Sequence, residues 1–241
     1  MSPALAIFVK TPGYSPIKTR LAAGCGSDFA ERWHQLAAAA VASVARRFEQ
    51  QCGAHAYWAV AEAAALEHGI WNGLQTLAQG EGGLGERLAL VYRTLQQRHG
   101  AVLLLGADSP QLSVELLVSG VNWLQAAPER CVLAPSTDGG FWLAGGNRPL
   151  PAQVWTDVRY SLAETGEDMR RALLPYATLQ ELPRLRDVDS QQDLLPVLHA
   201  LQALPEATDA QVELAQWMQR QGCVAVQSHR PLGSLNHPVS P

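Results

Sequence analysis

The two lysines are the first candidates for chemistry in this chain. Among 241 residues only Lys10 and Lys18 are lysines, although lysine and arginine together number 18. Both lie in one N-terminal stretch, and Arg20 follows at once. An ammonium group is a compact charge on a flexible stem, which suits a phosphate held in a tight loop. An arginine-favouring genome would explain why lysine is rare, but it leaves the clustering unexplained, so we expect phosphate binding here.

The stretch that carries these cations, Lys10–Leu21, contains one glycine and two prolines and is predicted to be a loop. Backbone N–H groups and cations in such a loop can share the negative charge of a polyphosphate. The spacing differs from that of a Walker A loop. A solvated basic loop is the alternative. We expect phosphate contacts from Lys10, Thr11, Pro12, Lys18 and Arg20.

An aspartate follows the most apolar run of the chain. Residues 101–107 read AVLLLGA, and Asp108 comes directly after them, at the start of an Asp-Ser-Pro turn. A carboxylate at the tip of a buried strand can bind Mg²⁺ or Mn²⁺, which prefer carboxylate and phosphate oxygens. The alternative is a turn that only ends the strand. Because a phosphate loop is expected nearby, we assign Asp108 as a catalytic residue and metal ligand.

A second candidate, Asp138, precedes two glycines. That sequence allows a tight turn and a close approach of the backbone to a ligand. A plain hairpin turn between the flanking segments explains it equally well. As a site residue, Asp138 would position the acceptor or act as a general base.

A third carboxylate region is Asp187-Val188-Asp189. Alternate residues of an extended stretch point the same way, so Asp187 and Asp189 could face one cation. Asp189 could instead be the N-cap of the helix that follows. As a candidate metal ligand, Asp189 is grouped with Asp108.

The run Gly80–Gly85 formally matches GxGxxG before a helix. We find no convincing strand before it, and the first strand-to-helix turn of the chain lies elsewhere, so a dinucleotide fingerprint is not expected. A glycine-rich helix entry could still contact a nucleotide. The residues expected to do so are Gly85, Glu86 and Arg87.

Predicted strands and helices alternate along the chain and place these residues. We predict strands at 4–10, 54–61, 101–107, 131–135, 141–145 and 178–182, and helices at 28–50, 85–99, 113–125, 163–174, 190–203 and 208–221. Asp28 and Glu31 resemble a capping box at the first long helix. The alternation predicts an α/β fold with a Rossmann-like, mostly parallel sheet flanked by helices. Ligands bind such sheets beyond the carboxyl ends of the strands, so Lys10, Asp108 and Asp138 should converge there.

Composition narrows the class of protein. We expect one catalytic domain over residues 1–227 and a disordered, Pro/Ser/His-rich tail over 228–241. A net charge of −4 argues against a nucleic-acid binder. The sequence has neither a long apolar run nor a basic leader, so we expect no membrane association and a cytoplasmic location. Scattered cysteines and histidines give no pattern of a zinc site or disulfide framework.

Together the motifs resemble bacterial glycosyltransferase-like proteins of the GT-A, or nucleotide-diphospho-sugar transferase, superfamily. The most similar group is that of arsenosugar-biosynthesis-type, or radical-SAM-associated, glycosyltransferases. Phospholactate guanylyltransferases are similar more distantly, through the K-x-R-L loop. The motifs K-x-P-x(5)-K-T-R-L, GxLGER, GxDxP, DGG and D-V-D-T correspond to Lys10–Leu21, Gly82–Arg87, Gly106–Pro110, Asp138–Gly140 and Asp187–Ser190.

The resemblance implies a nucleotide-sugar or NTP donor, a divalent cation (Mg²⁺ or Mn²⁺) and an unidentified small acceptor. It places the donor phosphates on the two lysines and Arg20 and the metal on Asp108, with Asp138 and Asp189 completing the site. Many GT-A glycosyltransferases have a DxD pair, whereas GxDxP offers one carboxylate; nucleotidyltransferases of this fold use separated aspartates. The missing pair leaves the type of reaction open; on the resemblance to the glycosyltransferase-like group we expect glycosyl transfer. Nucleotidyl transfer and a catalytically idle nucleotide-binding protein are the alternatives, and the oligomeric state stays open.

Overall fold

A seven-stranded sheet with helices on both faces forms the centre of the protein, which a computed structural model describes over residues 2–221. The strands are β1 (Ala4–Val9), β2 (His55–Val60), β3 (Gln75–Ala78), β4 (Val102–Gly106), β5 (Arg130–Pro135), β6 (Phe141–Gly146) and β7 (Thr178–Glu181). The helices are α1 (Thr19–Cys25), α2 (Ser27–Cys52), α3 (Ala63–Glu67), α4 (Leu84–His99), α5 (Val114–Ala126), α6 (Gln153–Thr156), α7 (Thr165–Leu173), α8 (Gln191–Gln202) and α9 (Asp209–Arg220).

The strand order is β3-β2-β1-β4-β6-β5-β7. Neighbouring strands pair in parallel except β6, which is antiparallel to both β4 and β5. The carboxyl ends of the other six strands therefore lie at one edge of the sheet. The predicted mostly parallel α/β sheet is confirmed.

Successive side chains of β1 pack into two different cores, one on each face of the sheet. Leu5 and Ile7 pack into a core with α2 and α5, whereas Ala4 and Ala6 pack into a second core with α4, α6 and α7. Successive side chains of a strand point to opposite faces, so a strand buried on both faces reads as a continuous apolar run.

Helix α2 is buried on two sides because its body is rich in alanine. Val41 and Phe48 face the sheet, whereas Trp33 and Ala37 belong to a third apolar cluster with α1, α8 and α9. Small side chains let the helix pack closely against both layers. The C-terminal helices are thereby fixed to the N-terminal half of the chain.

Four short elements were not predicted: α1, α3, β3 and α6. The strand β3 matters most, because it directly precedes the glycine-rich run Gly80–Gly85. The expectation that no strand precedes this run was wrong. β3 reads Gln-Thr-Leu-Ala and is mostly exposed at the edge of the sheet, so it lacks the apolar pattern of a buried strand.

Two predicted helix caps differ from the structure. α2 begins at Ser27 with Gly26 as its N-cap, so the capping box expected at Asp28 is not formed. Asp189 is not the N-cap of α8: Ser190 takes that position, in a capping box with Asp193. The carboxylate of Asp189 is therefore available for other contacts.

The predicted tail at 228–241, and the predicted domain boundary at 227, lie outside the described residues. Within residues 2–221, no helix combines the length and the apolar character needed to cross a lipid bilayer.

Candidate functional site

A cavity of about 850 Å³ opens at the carboxyl edge of the sheet. Segments that follow β1, β3, β4 and β5 line it, together with residues 187 and 189 beyond β7. This is the edge where ligands bind in open α/β sheets. The volume lies within the usual range for small-molecule sites.

Lys18 lies at the centre of the charged part of the cavity. Its Nζ is 2.8 Å from Oδ2 of Asp108 and 3.0 Å from Oδ1 of Asp189. The lysine side chain is only 8% exposed, whereas those of Asp108 and Asp189 are 39% and 43% exposed. One ammonium group thus joins two carboxylates that come from separate segments of the chain, one after β4 and one before α8.

The loop before α1 sets the position of this ammonium. Its backbone turns at Gly13 (φ 83°), where the N–H groups of Tyr14 and Ser15 donate to the carbonyl of Thr11. Lys18 itself has left-handed backbone angles (φ 45°, ψ 50°), which are unfavourable for a residue with a side chain. Its Nζ lies 5.7 Å from the ring centroid of Trp33, a cation–π contact.

The charges around Lys18 determine its ionisation. Burial by itself would lower the pKa of Lys18, but the negative charges and hydrogen bonds of Asp108 and Asp189 outweigh it and raise the pKa above its ordinary value. Lys18 is therefore a permanent cation at physiological pH.

The segment 185–189 brings two aspartates to the cavity. Leu185 donates its N–H to the carbonyl of Pro135, and Val188 donates its N–H to the carbonyl of Asp108. Val188 is fully buried, while Asp187 and Asp189 line the cavity. Both aspartates thus line the same cavity, and whether they face one cation stays a prediction.

Asp187 and Asp189 nevertheless have different partners. The carboxylate of Asp187 accepts hydrogen bonds from the hydroxyls of Ser109 and Ser136, the latter at 2.9 Å. Burial raises the pKa of Asp187 to about 6, and the nearby charge of Asp108 adds to the shift while the serine hydrogen bonds oppose it. Asp189 instead pairs with Lys18.

Of the other predicted site residues, Lys10, Arg20 and Asp138 also line the cavity. Arg20 is largely exposed and reaches Oδ2 of Asp189 at 4.0 Å. Asp138 lies in the turn of the β5–β6 hairpin, where its Oδ1 accepts from the N–H of Gly140 at 3.0 Å. Asp138 thus belongs to a hairpin turn and also lines the cavity. The turn and the predicted site position are therefore compatible.

Five predicted contacts lie outside the lining of this cavity: Thr11, Pro12, Gly85, Glu86 and Arg87. Thr11 is fully buried; its N–H donates to Glu62 and its hydroxyl accepts from the indole N–H of Trp71. Arg87 donates to the carbonyl of Gly82. Their participation in nucleotide binding stays a prediction.

Gly85 has a structural explanation of its own. A Cβ at this position would lie 2.7 Å from the carbonyl oxygen of Trp155, so only glycine lets α4 pack this closely against α6.

Several lining residues were not predicted. His34 is 5% exposed and its Nε2 donates to the carbonyl of Lys10 at 2.9 Å, which ties the loop to α2. Burial holds the pKa of His34 below its ordinary value. Gln79 lines the cavity beside β3, and aromatic residues Phe8, Phe141 and Tyr160 form part of its wall. A buried histidine or glutamine carries no distinguishing spacing in the sequence, so no motif pointed to them.

Comparison with known proteins gives a partial family match and a shared fold. Residues 45–162 match the family model described as "Uncharacterized protein conserved in bacteria (DUF2064)". This range contains Asp108 and Asp138 but neither lysine nor Asp189. No match to a curated protein was found.

The chain is similar to a protein from Desulfovibrio desulfuricans G20 that is named as a candidate nucleotide-diphospho-sugar transferase. The TM-score is 0.72 at 24% identity, covering 90% of this chain and 99% of the other. Rv0371c from Mycobacterium tuberculosis H37Rv aligns with a TM-score of 0.52 at 16% identity, covering 82% and 98%. A nucleotidyl transferase from Methanothermobacter aligns with a TM-score of 0.52 at 14% identity, covering 84% and 99%. The predicted fold is thereby confirmed; at these identities the likeness concerns the fold alone.

Proposed function

We propose that this protein is a transferase that takes a nucleotide-diphosphate-sugar as donor and transfers the sugar to a small acceptor. The observation that carries the proposal is the ammonium of Lys18 held between Asp108 and Asp189 in a cavity at the strand ends. Fixed charges of both signs in a partly enclosed site suit a ligand that is itself a polyanion accompanied by a cation.

The residues present fit a divalent cation bound jointly with the donor. Asp108 and Asp189 each have a carboxylate oxygen within hydrogen-bond distance of the same atom, Nζ of Lys18. Mg²⁺ is usually bound by one or two carboxylates plus substrate phosphates. Across residues 2–221, no three or more His, Cys, Asp or Glu side chains group as a complete metal site. The protein would thus supply two ligands and the donor the rest. When bound, the cation would stabilise the charge that develops on the leaving diphosphate.

The cations of the loop would hold the same phosphates. With a metal held by its two carboxylate partners, the ammonium of Lys18 could donate up to three hydrogen bonds to phosphate oxygens. Lys10 is exposed at the end of β1 and Arg20 is 76% exposed, so both can reach a ligand without losing a buried contact. Such fixed positive charges stabilise a leaving diphosphate electrostatically. Asp138, which also lines the cavity, would position the acceptor or take its proton.

Two further observations support sugar transfer. The motifs of the sequence resemble arsenosugar-biosynthesis-type, or radical-SAM-associated, glycosyltransferases, and the Desulfovibrio protein of the same fold is named as a nucleotide-diphospho-sugar transferase candidate. On this basis the donor would be a nucleotide-sugar.

Nucleotidyl transfer is the second candidate, and the origin of the carboxylates favours it. Asp108 and Asp189 come from separate segments and not from one DxD motif. The Methanothermobacter nucleotidyl transferase shares the fold. In that reaction an anionic acceptor would attack the α-phosphorus of an NTP, and pyrophosphate would leave.

The test combines binding with product analysis. Nucleotide-sugars and NTPs are screened for cation-dependent binding by calorimetry and then incubated with acceptor mixtures. Release of a nucleoside diphosphate supports sugar transfer, acceptor-dependent release of pyrophosphate replaces it with nucleotidyl transfer, and tight binding without turnover indicates an idle nucleotide-binding protein.

Asp108→Asn should weaken cation-dependent nucleotide binding by about tenfold or more, because it removes one of two metal carboxylates. Asp157→Asn is a matched control, since Asp157 is exposed and outside the cavity. Equal cation-dependent binding by both variants would remove Asp108 from the site.

A further inference from the structure

Phe141, Tyr160 and Leu162 form an apolar wall of the cavity. Phe141 begins β6, whereas the other two lie in the segment between α6 and α7. The ring centroids of Phe141 and Tyr160 are 6.5 Å apart. Leu162 is 47% exposed, although large apolar side chains usually avoid water. A ligand that covers Leu162 would remove this exposed apolar surface from water.

The polar groups beside the apolar wall already have partners within the protein. The hydroxyl of Tyr160 donates to the carbonyl of Trp155 at 2.8 Å. The N–H of Leu162 donates to the hydroxyl oxygen of Thr165 at 3.1 Å, and the carbonyl of Leu162 is 2.8 Å from the same oxygen. The surface that remains for a ligand is therefore mainly apolar.

Charge is distributed unevenly around the cavity. Within residues 2–221, the basic side chains that line it come from the first 34 residues: Lys10, Lys18, Arg20 and His34. The lining contributed by residues 138–165 includes one carboxylate, that of Asp138, and no basic residue. Arg159 is close in sequence, but it lies outside the lining and pairs with Asp168 at 2.7 Å. An anion at the apolar wall would therefore lack a counter-charge.

The turn that carries Asp138 is attached to the segment of the apolar wall. The N–H of Gly166 donates to the carbonyl of Gly139 at 2.8 Å. Asp138 is exposed, and its Oδ1 accepts from the N–H of Gly140. Within residues 2–221, no group donates a hydrogen bond to Oδ2 of Asp138. One carboxylate oxygen is thus available to a ligand that contacts the apolar wall.

The same turn is also connected to the charged part of the cavity. Ser136, two residues before Asp138, and Ser109, next to Asp108, donate to one carboxylate, that of Asp187. A ligand held by Asp138 can therefore meet a donor whose phosphates are bound near Asp108.

We propose that the acceptor is an uncharged, amphipathic alcohol. Its hydroxyl donates to Asp138, and its apolar part contacts Phe141, Tyr160 and Leu162. A phosphorylated acceptor would instead place its charge against apolar side chains and a carboxylate, which is unfavourable. The inference rests on the proposed sugar transfer and adds the class of its acceptor.

The bonds that change are those of a sugar transfer. The acceptor oxygen forms a bond to the anomeric carbon of the donor, and the bond from that carbon to the diphosphate breaks. The hydroxyl proton passes to Asp138, and the nucleoside diphosphate leaves.

An apolar fluorescent probe tests the wall directly. The probe is N-phenyl-1-naphthylamine, which is uncharged and fluoresces strongly on apolar surfaces. It is titrated into protein saturated with Mg²⁺ and with the nucleoside diphosphate that binds most tightly, so that the donor site is occupied. The wild type should bind the probe, and Leu162→Gln should bind it about fivefold more weakly, since an apolar contact is lost.

Leu174→Gln is the matched control. Leu174 is 46% exposed, almost the same as Leu162, but it lies outside the lining of the cavity. The two substitutions thus make the same chemical change at equally exposed positions. Leu174→Gln should keep the wild-type affinity for the probe.

Three compounds that share a glycerol group then test the class of the acceptor: glycerol, 1-O-hexylglycerol and glycerol 3-phosphate. We expect 1-O-hexylglycerol to displace the probe at a concentration at least about tenfold lower than the other two require, because it alone has an apolar chain. In Leu162→Gln this difference should become smaller.

Three results would overturn the inference while the proposed function stands. An equal affinity of wild type and Leu162→Gln for the probe would show that the wall is not a ligand contact. Displacement of the probe by the nucleoside diphosphate would assign the wall to the donor. Displacement by glycerol 3-phosphate as readily as by 1-O-hexylglycerol would indicate an anionic acceptor. If no nucleotide binds to the protein, the proposed function fails and the inference fails with it.

Discussion

Replacing Lys18 by methionine tests the charge cluster most directly. Methionine keeps an unbranched, flexible stem but removes the ammonium that joins Asp108 and Asp189. Neither residue is favoured at the left-handed angles of position 18, so backbone strain is nearly the same in both proteins. The substitution therefore isolates the loss of charge.

The expected cost follows from the burial of the three side chains. Removing one member of a fully buried ion pair costs about 3–5 kcal/mol. Here Lys18 is almost fully buried, but the two carboxylates are 39% and 43% exposed, and water screens the charge left behind. We therefore expect a loss of about 2 kcal/mol in the free energy of unfolding. In a domain of this size that is a decrease of about 4–8 °C in Tm.

Divalent cations should affect the two proteins differently. In the wild type a cation must displace the ammonium of Lys18 from Asp108 and Asp189, whereas in Lys18→Met the carboxylates are free to bind it. Adding Mg²⁺ or Mn²⁺ to chelator-treated protein should raise the Tm of the variant more than that of the wild type.

Because the pKa of Lys18 is raised, its stabilising charge is fully present at pH below 10.5 and is lost only above that value.

Thermal melts of both proteins, with chelator and then with metal, measure these effects. Lys10→Met serves as control, because Lys10 is exposed and makes no ion pair with any carboxylate of residues 2–221; we expect its Tm to change by less than about 2 °C. An unchanged or higher Tm for metal-free Lys18→Met, with an equal response to metal, would refute the proposed competition.

Three further predictions concern the surroundings of the cluster. The pKa of Asp187, raised by burial to about 6 from 3.8, should make the free energy of unfolding fall by roughly 2–3 kcal/mol as pH rises from about 4 to about 6; chemical denaturation of the wild type and Asp187→Asn checks this, and parallel pH profiles would contradict it. Gly139→Ala should lower Tm by several degrees, because Gly139 has φ 91° and a Cβ there would overlap the carbonyl of Ala163; a wild-type Tm would show that the turn adapts. Gly85→Ala should likewise lower Tm through a clash with the carbonyl of Trp155, while nucleotide affinity measured well below the Tm stays unchanged; a selective loss of affinity would instead indicate a ligand contact.

Apolar patterning predicted most of the fold, because buried strands and long amphipathic helices leave a strong periodic signal. β4 and α2 were placed to within two residues at each end. The polar edge strand β3 was missed, since exposed residues such as Gln75 carry no such period. The missed α3 and α6, of five and four residues, are too short for a helical period to show.

The charged part of the site was predictable because its residues follow strands, and the carboxyl ends of parallel strands meet at one edge. Lys10, Lys18, Asp108 and Asp189 do line one cavity. The direct contacts of Lys18 with both carboxylates were not predictable, because they depend on how the segment 185–189 hydrogen-bonds to the end of β5 and to Asp108. Gln79, which lines the cavity, was missed because its position depends on hydrogen bonds from its amide to the carbonyls of Val9 and Ala59.

The attachment of residues 185–189 to the sheet has a consequence for how the protein acquires its site during synthesis. Asp189 is 171 residues after Lys18, so the cluster closes a loop that spans most of the chain. Closing so long a loop costs conformational entropy, and the paired strands between the two residues offset that cost. A nascent chain released from the ribosome only as far as α7 would contain six strands and both lysines, yet it would lack the second carboxylate.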